Sequence, residues 1–225
     1  MAKHNLNRVT GIVLIIFFSL LSAFGQTRKD SLIVFVGEKI KVKYVKRPIK
    51  GTRIEGKDTI HFIRMDNEYL AKYKILQLVH GSYISNTIVF TVFDHYGKPA
   101  FSRYQTVLLF VSYYNGKLYH EKYQYFDLYM TECGKWASPY SFDAYDYPSD
   151  SITVIPEKIL FKKEVSFPIF QRTDTEDEEY TIMMQRMKEL YPKPYYEIKN
   201  KRAIAKYGNY VDDLFKLKQQ TVLKE

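Results

Sequence analysis

The sequence predicts a mainly β chain that ends in an α-helical segment. From residue 31 to about residue 167, apolar residues recur at every second position, and valine, isoleucine, tyrosine, phenylalanine and threonine are frequent. Both features are typical of β-strands with one buried face. The pattern changes near Pro168, after which apolar residues recur at helical spacing. We therefore expect a β-domain over residues 26–167 and a helical segment over residues 168–225.

The N terminus has the layout of a secretory signal peptide. Lys3 and Arg8 precede an apolar run at residues 11–21, and a small-x-small cleavage site follows. This run is about half of the ~20 residues that a membrane-spanning helix needs, so an uncleaved anchor is the less favoured alternative. We expect a signal peptide over residues 1–25, export to the periplasm or the medium, and no membrane span after cleavage.

Composition indicates a folded protein that is stabilised by packing. The chain is 46% hydrophobic and 16% aromatic, which supplies enough apolar surface to offset the ordering entropy of the chain. Cys133 is the only cysteine, so no intramolecular disulfide can form. The net charge is +9, but the lysines are spread along the sequence. Such spacing favours solvated strand faces, with an anionic partner as the alternative.

Local signals set the expected order of strands. Leu32 to Val36 is continuously apolar and Gly37 interrupts the run, so we expect a β-bulge or a bend there. Residues 46–57 are polar and contain glycine and proline, which predicts a loop or a hairpin tip. Asn115-Gly116 is the strongest hairpin signal in the chain, because both residues tolerate positive φ in a type I′ turn. The main strands are expected at residues 32–44, 70–79, 87–93, 104–114 and 117–130.

Weaker signals describe the rest of the chain. A second hairpin should turn at Cys133-Gly134 and bring Trp136 back along the same sheet. In the C-terminal segment we expect a helix that starts near Thr173-Asp174 and stops at Pro192. A short helix should follow over residues 201–207, and Asn209 should cap a last one.

The order of strands and glycines in residues 33–40, 73–81, 87–92 and 107–111 is similar to that of a known family. The pattern resembles the netrin-like family, which includes the tissue inhibitors of metalloproteinases. The resemblance implies an antiparallel OB-like barrel, and we expect the helices predicted from the C-terminal pattern to pack against it. It also implies protease inhibition as an alternative function, although those inhibitors use an N-terminal cysteine on the protease zinc and Gln26 stands at that place here. The chain also resembles exported proteins of Gram-negative bacteria whose signal peptides end in Phe-Gly-Gln.

A tyrosine-rich strand carries the first candidate ligand site. Tyr119, Glu121, Tyr123 and Tyr125 share one face of a regular strand. Aromatic platforms with nearby hydrogen-bonding groups stack on sugar rings or bases, and OB barrels use the corresponding face for oligosaccharides and single strands. The alternative is that the tyrosines cover the barrel where it meets the C-terminal helices. Nucleic acid is the less favoured ligand, because export removes the usual targets.

Catalytic and metal motifs do not stand out in the sequence. There is no His-Glu-x-x-His pair, no Cys-x-x-Cys unit and no Gly-x-Ser-x-Gly elbow, and we expect neither a metal nor another cofactor. Strand ends of a barrel can still bring separate polar residues together. The candidates for such a site are His61, Asp94, His95 and His120, and the alternative is that they are unrelated surface or strand-end residues.

These observations favour one function class and leave two others open. The leading hypothesis is an exported, non-enzymatic binding module of the cell envelope, with a protein or an envelope glycan as its partner. One alternative is an envelope hydrolase that uses the histidine and aspartate residues. The other is a protease inhibitor of netrin-like type.

Overall fold

The computed structural model describes residues 32–145, 152–169 and 178–223. The predicted signal peptide lies outside these residues. The described residues form one compact unit. The prediction of a mainly β chain is confirmed. The strands are β1 (Leu32–Val45), β2 (Lys50–Glu55), β3 (Asp58–Ile63), β4 (Asn67–His80), β5 (Thr87–Asp94), β6 (Thr106–Tyr114), β7 (Lys117–Asp127), β8 (Tyr129–Met130), β9 (Trp136–Pro139), β10 (Glu157–Lys158), β11 (Ser166–Pro168), β12 (Tyr196–Lys199), β13 (Arg202–Ala205) and β14 (Tyr207–Tyr210).

The helices are short and follow the barrel strands. They are α1 (Phe142–Tyr145), α2 (Glu178–Leu190) and α3 (Val211–Gln220), and a 3-10 turn at Ala100–Arg103 joins β5 to β6. Helix α2 stops before Pro192 as predicted, whereas its expected start at Thr173-Asp174 lies outside the described residues. In the part of the chain that is described, no helix combines the length and the apolar character needed to cross a membrane.

Five strands form a closed barrel in the order β1-β4-β5-β7-β6. Strand β1 closes it by pairing antiparallel with β4 along one edge and with β6 along the other. The bulge expected at Gly37 is present, because the register with β4 shifts between Val36 and Gly37. A Cβ atom at Gly37 would lie 2.8 Å from the Phe35 ring and 3.1 Å from the Tyr73 ring. Glycine therefore lets the strand bend over a filled interior.

The barrel interior is packed with apolar and aromatic side chains. Phe35, Tyr73 and Phe90 have almost no exposed surface, and Phe101 of the 3-10 turn lies against the last two. Alternation along the strands places the remaining interior residues, because every second side chain points inward. The fully enclosed members of this cluster include Ala71, Ile88, Val107, Leu109 and Val111.

Helix α3 covers one side of the barrel from outside. Leu214 and Leu217 of this helix pack against Val34 of β1 and Phe110 of β6, and all four are buried. These strands are therefore apolar on both faces, which explains the continuous apolar runs at residues 32–36 and 107–111. We call this side of the barrel, formed by the outer faces of β6 and the first half of β1, the covered wall.

The strongest turn signal in the sequence gives the expected hairpin. Asn115 and Gly116 have φ values of 46° and 80°, and Tyr114 pairs with Lys117 across the turn. Residues 50–63 form the separate two-stranded hairpin β2–β3, which turns at Gly56. The hairpin at Cys133-Gly134 is also present, but it is not part of the barrel sheet, because β8 and β9 join β14 and β10 instead.

Two predictions for the C-terminal segment are wrong. Residues 201–207 form no helix, because Asn200 and Lys201 have φ values of 51° and 58° and turn β12 back onto β13. Asn209 does not cap α3, since its side chain donates to the Ile155 carbonyl and accepts from the Tyr145 hydroxyl. Strands on both sides of residue 168 pair with each other, as β14 does with β9.

Many tyrosines of the second half pack among themselves. The Tyr140 and Tyr195 rings stack with centroids 4.0 Å apart, and Tyr145 stacks on Tyr140 at 5.4 Å. Tyr191 and Tyr196 meet edge to face in the adjoining cluster. These rings supply apolar surface for the small sheets that follow the barrel.

Candidate functional site

A pocket of about 280 Å³ lies on the outer surface of the barrel. Its floor is formed by β4, β5 and the start of β7, and its rim by the segments that precede and follow hairpin β2–β3. The residues come from distant parts of the chain and are brought together by strand pairing. The lining side chains are Arg47, Arg64, Glu68, Thr91, Phe93, Lys117 and Tyr119.

Strand alternation places the floor residues. Phe90 and Val92 of β5 point into the barrel, so Thr91 and Phe93 between and beyond them point outward. Thr91 is the register partner of Tyr119 on the parallel neighbour β7. Glu68 of β4 is the register partner of Phe93 on the other side. The pocket therefore spans three adjacent strands.

An aromatic pair forms one surface of the pocket. The rings of Phe93 and Tyr119 are nearly parallel, with centroids 6.1 Å apart and an interplanar angle of 16°. Both side chains are half-buried. Aromatic faces of this kind stack on flat or ring-shaped ligands and tolerate variation in the ligand's polar groups.

Charge in the pocket is dominated by cations. Arg47 makes two hydrogen bonds to Glu68, Nε to Oε2 at 3.0 Å and Nη2 to Oε1 at 3.1 Å. This hydrogen bonding lowers the pKa of Glu68 and raises the pKa of Arg47. Glu68 is thus paired with Arg47, and Arg64 and Lys117 form no salt bridge among the described residues, although their charges also contribute to the lowered pKa of Glu68. The arrangement favours an anionic ligand.

Arg64 is the least satisfied of these cations. Its guanidinium lies 5.7 Å from the centroid of the Phe62 ring. Its Nε atom is buried and has no hydrogen-bond partner among the described residues. A buried donor without a partner costs free energy, and an acceptor brought by a ligand would recover it. Because Nε is buried, the Arg64 side chain has to turn outward before an incoming oxygen atom can reach this donor.

The structure separates the four residues of the predicted tyrosine site. His120 of β7 pairs with Val111 of β6, and the next matched pair is Tyr125 with Leu109. Strand β7 therefore passes through more residues than β6 does between these two pairs. This irregularity interrupts the alternation on which a shared face depended. Tyr119 lines the pocket, but Tyr125 packs against the interior cluster and contacts the Phe101 ring at 6.1 Å.

The two middle residues of that site lie in the irregular stretch. Glu121 accepts a hydrogen bond from the Ser112 hydroxyl. Tyr123 has a φ of 66°, is 46% exposed, and packs beside the Tyr96 ring with centroids 5.9 Å apart. Of the four predicted residues, Tyr119 is the one that lines the pocket.

The alternative polar site is not brought together either. His120 lies inside the barrel between Phe90 and Phe101, and its Nε2 donates to the Gln124 carbonyl at 2.9 Å. Burial lowers the pKa of His120 to about 4, so the side chain is neutral near pH 7. A neutral imidazole enclosed by rings has no route to a substrate at the surface.

The other three residues of that set differ in exposure, because His61 and His95 are exposed whereas Asp94 is buried. His95 lies 3.1 Å from the Met65 carbonyl and 3.6 Å from an Asp66 carboxylate oxygen. Asp94 accepts a hydrogen bond from the backbone N–H of Tyr96, which fixes the turn after β5. No hydrogen bond, ion pair or ring contact joins His61, Asp94, His95 and His120 within the described ranges, nor do those ranges contain a cluster of possible metal ligands.

Sequence reasoning missed most of the pocket residues. Arg47, Arg64 and Lys117 stand in turns or at strand ends, where basic residues are common and carry no special signal. Phe93 is the last apolar residue of a predicted strand, and only its pairing with the neighbouring strands shows that it faces Tyr119. Register between distant strands is therefore the information that was lacking.

Comparisons of the chain with protein-family models, with curated proteins and with solved structures found no match.

Proposed function

We propose that the protein is an exported, non-enzymatic binding module whose ligand site is the pocket around Phe93 and Tyr119. The observation that carries this proposal is the convergence of a stacked aromatic pair and three basic side chains in one pocket. Export is supported by the basic, then apolar, then small-residue pattern of the first 25 residues. Partner binding through this surface is compatible with either the periplasm or the medium.

We also infer an OB-type barrel of the netrin-like kind. In support, the first long strand pairs on both sides, carries a bulge at Gly37, and leads into the ring order β1-β4-β5-β7-β6. OB folds bind oligosaccharides and oligonucleotides on the face of their second and third strands, between two loops. The pocket uses β4 and β5, the segment between β1 and β4, and the β6–β7 hairpin, which are the corresponding parts.

A glycan suits the pocket better than a protein surface does. Protein partners usually bury about 800 Å² on each side across a broad patch. A pocket of about 280 Å³ with a ring-stacking surface instead fits a compact ring with polar substituents. The three cations outnumber the one carboxylate of the pocket, Glu68, and this excess favours a sugar that carries a carboxylate or another acidic group.

The test is glycan binding by the wild-type protein and by two matched double variants. Phe93→Ala/Tyr119→Ala removes the stacking surface, and Tyr96→Ala/Tyr123→Ala removes an exposed ring pair that does not line the pocket. Binding to an array of defined neutral and acidic oligosaccharides is measured after far-UV circular dichroism confirms folding. We expect the pocket variant to lose about tenfold or more in affinity and the control to match wild type.

Two results would overturn the proposal. Wild-type protein that binds none of the oligosaccharides would remove the ligand class. A folded pocket variant that binds as tightly as the control would remove the site.

A further inference from the structure

A group of lysines lies beside the pocket on the outer face of the barrel. Lys41 and Lys43 belong to the second half of β1, and Lys72 and Lys74 belong to β4. Their strand neighbours Val42, Ala71 and Tyr73 pack against or inside the interior core, so by alternation the four lysines face solvent. All four are exposed. We call this surface, with the outward residues of β5, the open wall.

Strand pairing brings together lysines that are distant in sequence. Lys41 is the direct register partner of Lys72, and Lys43 is the partner of Leu70. Like charges directly opposite each other destabilise a sheet. The sequence alone showed dispersed lysines, which are typical of ordinary solvated faces, whereas the paired strands concentrate them on one surface.

The charge of the open wall is poorly neutralised. No ion pair of the described residues includes any of the four lysines. Glu38 is the register partner of Lys74 and is the acidic residue nearest to that lysine along the pairing. Around the pocket, Glu68 is committed to Arg47 and Glu121 accepts from Ser112. A positive field therefore extends from the pocket across β4 to β1.

One row of the sheet connects the lysines to the pocket. Tyr119 pairs with Thr91, Thr91 with Leu70, and Leu70 with Lys43. With neighbouring strands about 4.8 Å apart, this row is about 14 Å long. Leu70 is 46% exposed and Val89 beside it is 42% exposed, so apolar surface lies between the two charged ends. The pocket and the lysines thus lie along one continuous row of outward-facing side chains across the strands.

We propose that the open wall binds a linear acidic polysaccharide, with one sugar ring in the pocket and further carboxylates on Lys43, Lys41 and Lys72. This proposal rests on the proposed function and extends its site from a single ring to a chain. The cations at both ends match a repeating anion, and the exposed Leu70 and Val89 provide apolar contact for the sugar faces between them.

Single-stranded nucleic acid fits the open wall less well. Proteins that bind single strands usually stack successive bases on successive aromatic side chains. The aromatic platform is the Phe93–Tyr119 pair in the pocket, and the row that leads from it onto the open wall continues with Thr91, Leu70 and Lys43. One stacking position followed by aliphatic and basic residues favours a charged sugar chain over stacked bases.

The experiment uses galacturonic acid, its linear oligomers of increasing length, and polygalacturonate as probes in titration calorimetry. Lys41→Gln/Lys43→Gln/Lys72→Gln removes three charges from the open wall. Lys158→Gln/Lys162→Gln/Lys163→Gln removes three charges from exposed positions that follow the barrel and serves as the matched control. Phe93→Ala/Tyr119→Ala reports on the pocket itself.

We expect affinity to rise with oligomer length in the wild-type protein. The open-wall variant should lose about tenfold or more for polygalacturonate and bind the monomer as wild type does. The control changes the bulk charge by the same amount, but it should stay within about twofold of wild type because its lysines are not part of the open wall. Fully methyl-esterified polygalacturonate, which keeps the backbone and loses the charge, should bind weakly.

Several outcomes would overturn the proposal, and they are distinguishable from a failure of the pocket. If the pocket variant abolishes binding while the open-wall variant matches its control, the extended site is wrong and the proposed function stands. If neither variant changes binding, both proposals are wrong. Equal binding of the methyl ester, or tighter binding of a single-stranded oligonucleotide of matched charge, would exclude the acidic glycan.

Discussion

The covered wall and the open wall are built from the same strand but have opposite chemistry. In its first half, β1 presents Val34 and Val36 outward, and both are completely buried in the apolar cluster that includes Leu214 and Leu217 of α3. In its second half it presents Lys41 and Lys43 outward, and both are exposed. The barrel interior continues behind both halves. What differs is the partner, which is an internal helix for the covered wall and, in our proposal, an external ligand for the open wall.

The open wall holds polar and charged side chains because it has no covering helix like that of the covered wall. An apolar outer face needs a permanent cover, since exposed apolar patches lead to association. Lysines with a few aliphatic neighbours remain soluble without a cover and still supply charge and contact area to a ligand. The chemistry of β1 changes after the bulge at Gly37.

The largest expected effect tests whether the two walls differ in their contribution to stability. Leu217→Ala removes a side chain of α3 with no exposed surface, and we expect it to lower the free energy of unfolding by about 2–5 kcal/mol. Leu70→Ala makes the same chemical change at a position that is 46% exposed and should cost less than about 1 kcal/mol. Urea denaturation of both variants measures the difference, and equal losses would contradict the contrast between the walls.

The second effect concerns the interior behind the pocket, where His120 is adjacent to Tyr119 in sequence. Burial lowers the pKa of His120 from 6.5 to about 4, so the unfolded chain takes up a proton at higher pH than the folded chain. The stabilising contribution of neutral His120 is complete above pH 6.5 and is lost as the pH falls toward 4. The loss should reach about 3 kcal/mol at the lower end.

Urea denaturation at a series of pH values measures this dependence. His120→Gln should flatten the slope between pH 6.5 and pH 4, whatever its effect on stability at neutral pH. His95→Gln is the control, because the His95 side chain is 44% exposed and lies at the surface. A wild-type slope in the His120 variant would show that this histidine is not the acid-sensitive group of the interior.

Much of the barrel was predictable because its signals are local. Gly37 marked the bulge and Asn115-Gly116 marked the hairpin, since backbone conformations at these positions depend on the residues themselves. The helix predicted over residues 201–207 failed for a related reason. Asn200 and Lys201 both adopt positive φ and turn the chain, a conformation that is common for asparagine but gives no clear signal at lysine.

The site was much less predictable, because it depends on pairing between distant strands. Tyr119 was selected as a candidate, but its partner Phe93 and the cations Arg64 and Lys117 were not. Tyr125 was assigned to the same face as Tyr119 under the assumption of regular alternation, which the irregular stretch around Tyr123 breaks. The irregular stretch reverses the direction of the side chains that follow it in β7, and nothing in the local sequence of β7 identifies it.

The smallest expected effect tests whether the open wall keeps its charge at the expense of stability. Lys72→Gln removes one member of the Lys41–Lys72 register pair and should raise the free energy of unfolding by about 0.5 kcal/mol. The gain should shrink at high salt, where the repulsion is screened. Lys158→Gln, at an exposed position that pairs with Tyr207, should change stability much less at either salt concentration. Thermal unfolding at low and high salt measures both variants. A stability gain at Lys72 together with weaker polygalacturonate binding would mean that this lysine serves the ligand and not the fold, whereas a loss of stability would assign it to the fold.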